Sequence, residues 1–324
     1  MAEANRARFA CQASDQFRSA RDFQHDNGWT ECILTRFKTA TRMGDRRPVI
    51  SIMPARPQST TMHGDSTAGR GTEPHMRLQG KRAVITGAAG ALGRVIAQKL
   101  AAEGADVAGL DLNAAGLEET AELVRAHGVR AASATADLTD FDAVQAAVGG
   151  IVDQWGGVDI LLNGAGGGAV SFFHEMTYET WMTQMDRNLN SVFNVTRAVL
   201  PSMLEQRSGR IISIASIAAV SGGRLVRGAT AYAAAKAGVV GLTKALAIEV
   251  AEQGVTVNAL APGAQATPGR DNDTPERREA LLAQIPTRLL GEPEHLAETV
   301  VFLASPAAVN LTGLILPLDG GHSI

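Results

Sequence analysis

Cysteine is almost missing from this sequence. Of 324 residues only Cys11 and Cys32 carry thiols, and both lie in the first 75. Beyond that point disulfides, cysteine-based metal sites and cysteine nucleophiles are excluded. The lack of a disulfide framework is compatible with a reducing cytoplasm, where we expect the protein to work. Long apolar runs are missing too: none approaches the ~20 residues that a membrane-spanning helix needs. Neither sign of charge dominates, the formal net charge being −3, so nothing in the balance calls for a nucleic-acid partner. Aromatics make up 4% of the chain, while alanine and glycine are abundant, which suits helices packed closely on a parallel sheet. With 45% hydrophobic and 19% charged residues, a soluble globular protein of one or two domains is expected.

The first 75 residues differ from the rest. They hold 11 Lys+Arg against 8 Asp+Glu, leaving the remainder of the chain acidic, and they show no sustained helical or strand period. This composition reads as a low-order extension. An arginine-rich transit peptide (which its acids oppose) and a regulatory tail are two explanations. The favoured one is a true start at Met76. Residues 76–324 form the expected folded domain. Strand-like runs fall at 82–86, 105–111, 131–137, 158–163, 209–215, 255–261 and 313–318. Helix-like runs lie between them at 91–103, 114–127, 140–155, 178–204, 232–253, 275–284 and 293–304. This alternation predicts an α/β fold, one doubly wound parallel sheet of seven strands covered on both faces, that is, a Rossmann-type domain.

Three features carry chemistry. The run from Thr86 to Gly93, T-G-A-A-G-A-L-G, follows the first apolar strand and opens a helix. Glycines there let backbone approach a pyrophosphate, and a helix N-terminus presents unpaired N–H groups to it. Gly87, Ala91, Leu92 and Gly93 are therefore candidate dinucleotide contacts. Asp111 closes the second strand, where an acid accepts hydrogen bonds from ribose hydroxyls and repels a 2′-phosphate. NAD is thus preferred, with NADP possible; a solvated turn acid is the plain alternative. Finally, Tyr232 and Lys236 share a helix face at i and i+4. A phenol titrates near ~10, and a close ammonium is expected to bring it down, so that it exchanges protons with an alcohol or carbonyl oxygen. Ser216 ends a strand at the sheet's carboxyl edge, placed to hold that oxygen, with Ser213 and Ser221 as nearby decoys.

Together these pieces resemble the short-chain dehydrogenase/reductase family over residues 78–324. The resemblance extends to Asp137-Leu138 after the third strand and to Asn163-Gly164-Ala165-Gly166 after the fourth. It includes the helix-borne Asn188, the loop Pro262-Gly263 to Thr267, and the ending Leu318-Asp319-Gly320-Gly321. It implies catalytic roles for Asn188, Ser216, Tyr232 and Lys236, with no metal. It also implies cofactor contacts at Asp137, Leu138, Asn163, Ala165, Gly166, Tyr232, Lys236, Pro262, Gly263, Gln265 and Thr267. Three departures stand out. Gly164 replaces an Asn. Sixteen positions separate Ser216 from Tyr232, about three more than usual. Gln265 stands where an apolar residue usually lies against the nicotinamide.

The implied reaction is reversible hydride transfer between NAD(H) and a secondary alcohol or ketone. Tyr232 is then the general acid/base, and Lys236 lowers its pKa and holds the nicotinamide ribose. Ser216 orients the substrate oxygen, and Asn188 holds a water linking Lys236 to solvent. Residues 167–173, 217–231 and 266–286 are the expected pocket wall, and glycines and apolar side chains there suit a small to medium, partly apolar substrate. Arg224, Arg227 and Arg270 could meet a substrate anion, or be solvated loop charges. Two other readings stay open: an NADPH-dependent reductase of 3-oxoacyl groups on acyl-carrier protein, and a dinucleotide-binding sensor without catalysis. The helix 232–253 is apolar all round, and the family likeness implies a homotetramer formed through it and the preceding long helix.

Overall fold

The computed structural model describes residues 76–222 and 227–324. The expectations for residues 1–75 and for Arg224 lie outside the described residues.

Seven strands form one parallel sheet: β1 (Arg82–Thr86), β2 (Asp106–Asp111), β3 (Ala131–Thr135), β4 (Ile160–Asn163), β5 (Gly209–Ile214), β6 (Val255–Pro262) and β7 (Ile315–Leu318), in the order β3-β2-β1-β4-β5-β6-β7. The chain winds outward from β1 to β3, then returns to place β4 on the other side of β1. The switch point therefore lies between the carboxyl ends of β1 and β4, where Thr86 pairs with Asn163. Open α/β sheets bind ligands at such a crevice.

Strands buried on both faces must be apolar at successive positions, and β4 and β6 are buried throughout. Their side chains alternate between two cores. Val84, Leu161, Ile211 and Val257 stand in register on one face. There they meet α3 (Phe141–Trp155), α5 (Ser191–Gln206) and α7 (Thr230–Val250) through Val148, Val195, Val199 and Val250. Ala83, Ile85, Ile160 and Leu162 face the other way. They meet α1 (Ala91–Ala102) and α9 (Pro293–Ala304) through Ile96, Leu100, Leu296 and Val300. Helix α2 (Ala114–Arg125) covers the β2 and β3 end, begun by Asn113, whose side chain accepts the Gly116 N–H.

One expectation needs correction. The single helix expected over 178–204 is three pieces: α4 (Tyr178–Met185), a π turn (Asp186–Asn190) and α5. A π turn carries one extra residue per turn and leaves no mark on apolar spacing over five residues. A short helix, α6 (Ala218–Ser221), lies in the loop after β5, and α8 (Pro275–Leu282) lies almost wholly exposed in the segment before α9. Among the described residues, no helix is long and apolar enough to cross a membrane.

Candidate active site

The glycine turn after β1 is built by close backbone contact. Gly87 has φ +72°, a conformation that glycine adopts without strain. Its N–H reaches the Leu110 carbonyl at 2.9 Å, and its own carbonyl receives the Gly90 N–H at 3.1 Å. A Cβ at Gly93 would collide with that carbonyl and stand 2.9 Å from the Ala88 Cα, so only glycine allows α1 to start here. Gly90 caps α1 without a side chain, and the first turn holds no acid. The leading N–H groups of the helix and its positive dipole end therefore stay open. They face a crevice of about 470 Å³. Such a cradle of glycine backbone and uncapped N–H groups fits a dinucleotide pyrophosphate.

At one end of the crevice, Asp111 is locked in place. One carboxylate oxygen accepts the Ala89 N–H at 3.2 Å and the other the Asn113 N–H at 3.1 Å. Arg94 turns away to Glu119, at 2.7 Å, and Thr120. Asp137 and Leu138 form the adjacent wall. Asp137 accepts two hydrogen bonds from Thr139, at 2.9 and 2.8 Å. Those bonds, helped by the positive charge of Arg187, hold its carboxyl below the usual range. Ala165, Gly166 and Thr267 also line the crevice.

Asn163, Pro262, Gly263 and Gln265 do not themselves line this crevice. Asn163 is buried, and its amide donates to Thr196 at 3.0 Å and Ser213 at 3.3 Å. Its side chain thus ties β4 to α5 and β5, and the neighbouring Gly164, Ala165 and Gly166 form the crevice surface. The Thr86 hydroxyl holds that surface by accepting the N–H groups of Gly164 and Ala165. Pro262 ends β6, and Gly263 packs on Asp319 so tightly that a Cβ would meet its side chain at 2.8 Å. The Gln265 amide is buried against Gly291, whose backbone bridges both sides of residue 265. Among these loop positions it is Thr267, Pro268 and Gly269 that reach the crevice.

The four expected catalytic residues converge. Tyr232 and Lys236 rise from the first two turns of α7, with the ammonium 5.9 Å from the phenol ring centre. Lys236 is buried and donates to the Ile214 carbonyl at 2.7 Å. Ser216 follows β5, with its hydroxyl accepting the Ala218 N–H at 3.1 Å. Burial pushes the Tyr232 phenol above its ordinary value, and the neighbouring Ser216 hydroxyl partly offsets this. Burial also brings Lys236 down to about 8. This corrects the expected electrostatics: in the protein alone, desolvation outweighs any help that the ammonium gives the phenol. Asn188 is fully buried in the π turn. It receives the Gly167 N–H at 3.0 Å and donates to the Gly167 carbonyl at 3.1 Å. That clamp sets Gly166 beside Lys236, where an added Cβ would lie 3.5 Å from the ammonium. It also brings Gly168 onto the Tyr232 ring, where a Cβ would lie 3.3 Å away. Of the expected substrate-side cations, Arg270 pairs with Asp273 at 3.2 Å, and Arg227 is exposed.

Sequence reasoning missed Arg187, Ser191 and Thr139 as crevice residues. The Asp137-x-Thr139 spacing, a common side-chain turn, could have found the last. The other two depend on the π turn.

The short chain dehydrogenase family matches residues 81–278. The 3-oxoacyl-[acyl-carrier-protein] reductase FabG of Vibrio cholerae is 41% identical over 246 residues, covering 76% of this chain and 98% of that protein. The enzyme of the same name from Pseudomonas aeruginosa is 41% identical over 247 residues, with the same coverage. Among solved structures, NAD+-bound xylitol dehydrogenase superposes with a TM-score of 0.71 at 29% identity, covering 76% of this chain and all of that one. A Serratia marcescens short-chain dehydrogenase/reductase does so at 0.72 and 32%, with coverage of 76% and 100%. Sequence, sheet order and site geometry agree that this chain belongs to the short-chain dehydrogenase/reductase family and is an NAD(P)-dependent oxidoreductase.

Proposed function

We propose that the enzyme interconverts a secondary alcohol and a ketone with NAD(H), using Tyr232 as the general acid/base. The observation that carries this reading is the meeting of Tyr232, Ser216 and the buried Lys236 beside a glycine-built crevice at the sheet's switch point. Bound there, the dinucleotide supplies or accepts the hydride. The protein's own groups handle the proton. Ser216 holds the substrate oxygen by a hydrogen bond and stabilises the charge that develops on it. Tyr232 gives its proton to that oxygen during reduction and takes it back during oxidation. Lys236 keeps a positive charge next to the phenol and toward the bound ribose. Asn188 fixes the Gly166–Gly168 backbone against both, and a water at its turn links Lys236 to solvent.

Asp111 supports the preference for NAD(H) over NADP(H). Its carboxylate is fixed by two backbone N–H groups at the crevice edge, and Arg94 is drawn off by Glu119. A 2′-phosphate there meets a charge that cannot swing aside. In Asp111→Ser the ratio of kcat/KM for NADH over NADPH is expected to fall at least ~10-fold, since one close like-charge contact exceeds 1.4 kcal/mol when poorly solvated. An unchanged ratio would show that Asp111 does not read the ribose.

A second reading is favoured by the names of the FabG relatives: an NADPH-dependent reductase of 3-oxoacyl groups on acyl-carrier protein. Initial rates separate the two. Simple ketones and secondary alcohols with NADH support the first, and 3-oxoacyl thioesters used far better with NADPH support the second.

We infer further that residues 76–324 are the catalytic unit and that it assembles as a homotetramer through α5 and α7. Their outer faces leave Phe193 and Ile248 exposed at 51% and 83%, the latter high for an isoleucine. Light scattering of a protein beginning at Met76 should give four times the subunit mass with full activity; a monomer would refute the assembly.

A further inference from the structure

A buried amide stands at the root of the loop that completes the crevice. After β6 the chain leaves the sheet at Gly263 and comes back to its own root at Gly291, where the two stems meet in a single parallel bridge between Gln265 and Gly291. The Gly291 N–H donates to the Ala264 carbonyl at 2.9 Å, and the Gly291 carbonyl accepts the Ala266 N–H at 2.8 Å. These two bonds form the neck of a loop over residues 266–290. Within it Thr267, Pro268 and Gly269 line the crevice, while residues 274–280 are exposed. Closing so long a loop costs entropy, and a neck is where that cost is offset.

The Gln265 side chain is the third part of this neck. It is 9% exposed, and its amide nitrogen reaches the Gly263 carbonyl at 3.4 Å. The amide lies on the bare α-carbon of Gly291: a Cβ there would collide with the amide nitrogen and stand 2.8 Å from the amide carbon and oxygen. A buried amide with one long hydrogen bond adds little stability by that bond. What the neck gains is its shape, which fills the space over Gly291 and fixes residue 265 between the strand end and the returning stem. The strand end is itself tied to the site. The Gly263 N–H donates to the Leu318 carbonyl at 3.0 Å, and the Pro262 carbonyl accepts the Ile217 N–H at 3.2 Å, one residue past Ser216. On the returning side the Thr287 N–H donates to the Gly320 carbonyl at 3.2 Å. With both sides anchored, the direction in which the chain leaves residue 265 decides where Thr267, Pro268 and Gly269 stand.

We propose that Gln265 is a positioning residue: its side chain, packed on Gly291, sets the crevice loop for dinucleotide binding without lining the crevice itself. The assignment rests on the dinucleotide reading of the crevice. It is tested on the full chain by titration calorimetry with NADH, steady-state kinetics and thermal unfolding. Gln265→Ala is expected to raise both Kd and KM for NADH about tenfold, the scale on which a residue acts through its neighbours. Its kcat at saturating NADH should stay within about a factor of two, as when binding alone is lost. Gly291→Ala puts a methyl where the amide lies. The obstructing atoms are the free end of a side chain, so this variant should fold, with the amide displaced and a similar loss of affinity. The double variant places that methyl in vacated space and is expected to bind NADH within about threefold of wild type, a coupling that independent sites do not show. An unchanged Kd in Gln265→Ala overturns the assignment. So does a double variant that binds NADH no better than Gly291→Ala, or a fall in kcat with Kd unaltered. Wild-type protein that binds neither NADH nor NADPH removes the dinucleotide reading and this assignment with it.

Discussion

Tyr232→Phe is expected to lower kcat by about 10³-fold or more, within the range that positioned acid–base groups contribute, while leaving the Kd for NADH within about a factor of three, a difference of under 0.7 kcal/mol. The substitution removes one oxygen and keeps the ring that packs under Gly168. Fold and crevice are therefore preserved, and the loss falls on the proton. Ser216 remains but is no substitute, because a neutral hydroxyl with no base beside it neither yields nor takes a proton readily at neutral pH. The pH profile adds a check on the neighbour. Lys236, brought down to about 8 by burial, is charged below that pH and loses its proton above it. Tyr232, raised by burial, is still a phenol there. For ketone reduction both protonated forms are wanted, so kcat/KM should be flat through neutrality and decline above about pH 8, as Lys236 loses its proton. In Lys236→Met that break should vanish from an already low rate. A profile in Lys236→Met that keeps the break would assign it to another group, and near-normal kcat in Tyr232→Phe would remove the tyrosine from the mechanism.

Gly93→Ala is expected to abolish dinucleotide binding, raising the Kd for NADH by about 100-fold or more, with a loss of stability of about 1–3 kcal/mol, as overpacked sites show. The added methyl meets the Gly87 carbonyl and the Ala88 backbone, neither of which is the movable end of a side chain. Relief requires the turn to open. Opening it shifts the Gly87 N–H from the Leu110 carbonyl and swings the first N–H groups of α1 off the crevice. Calorimetry and thermal unfolding with and without NADH would show both effects. Wild-type affinity in Gly93→Ala would mean that the pyrophosphate is bound elsewhere.

The sheet was legible because strands covered on both faces need unbroken apolar runs, and Val84-Ile85, Ile160 to Leu162 and Val255 to Ala261 supply them. The cofactor turn was legible because backbone crowding at Gly93 tolerates no other residue. Other features were hidden for identifiable reasons. Residues 186–190 have the composition of ordinary helix, so the π turn and the outward placement of Arg187 had no signal. Motif spacing located Asn163 without telling which way its amide points, and the burial of Thr196 and Ser213 around it decides that. The i, i+4 spacing of Tyr232 and Lys236 put phenol and ammonium on one face but could not show that both are desolvated, which reverses the shift expected for the phenol. Gln265 was marked as a departure, and the reason it is tolerated lies in Gly291, whose bare α-carbon leaves room for the amide.

The central claim is tested most directly by following the hydride itself. Purified enzyme is mixed with a simple ketone and NADH deuterated at the nicotinamide C4, using each epimer in turn, and the alcohol is analysed by mass spectrometry. The account predicts that one epimer delivers a single deuterium to the carbinol carbon and the other delivers none. Product without deuterium from either epimer, or no alcohol from any ketone with either NADH or NADPH, would contradict it.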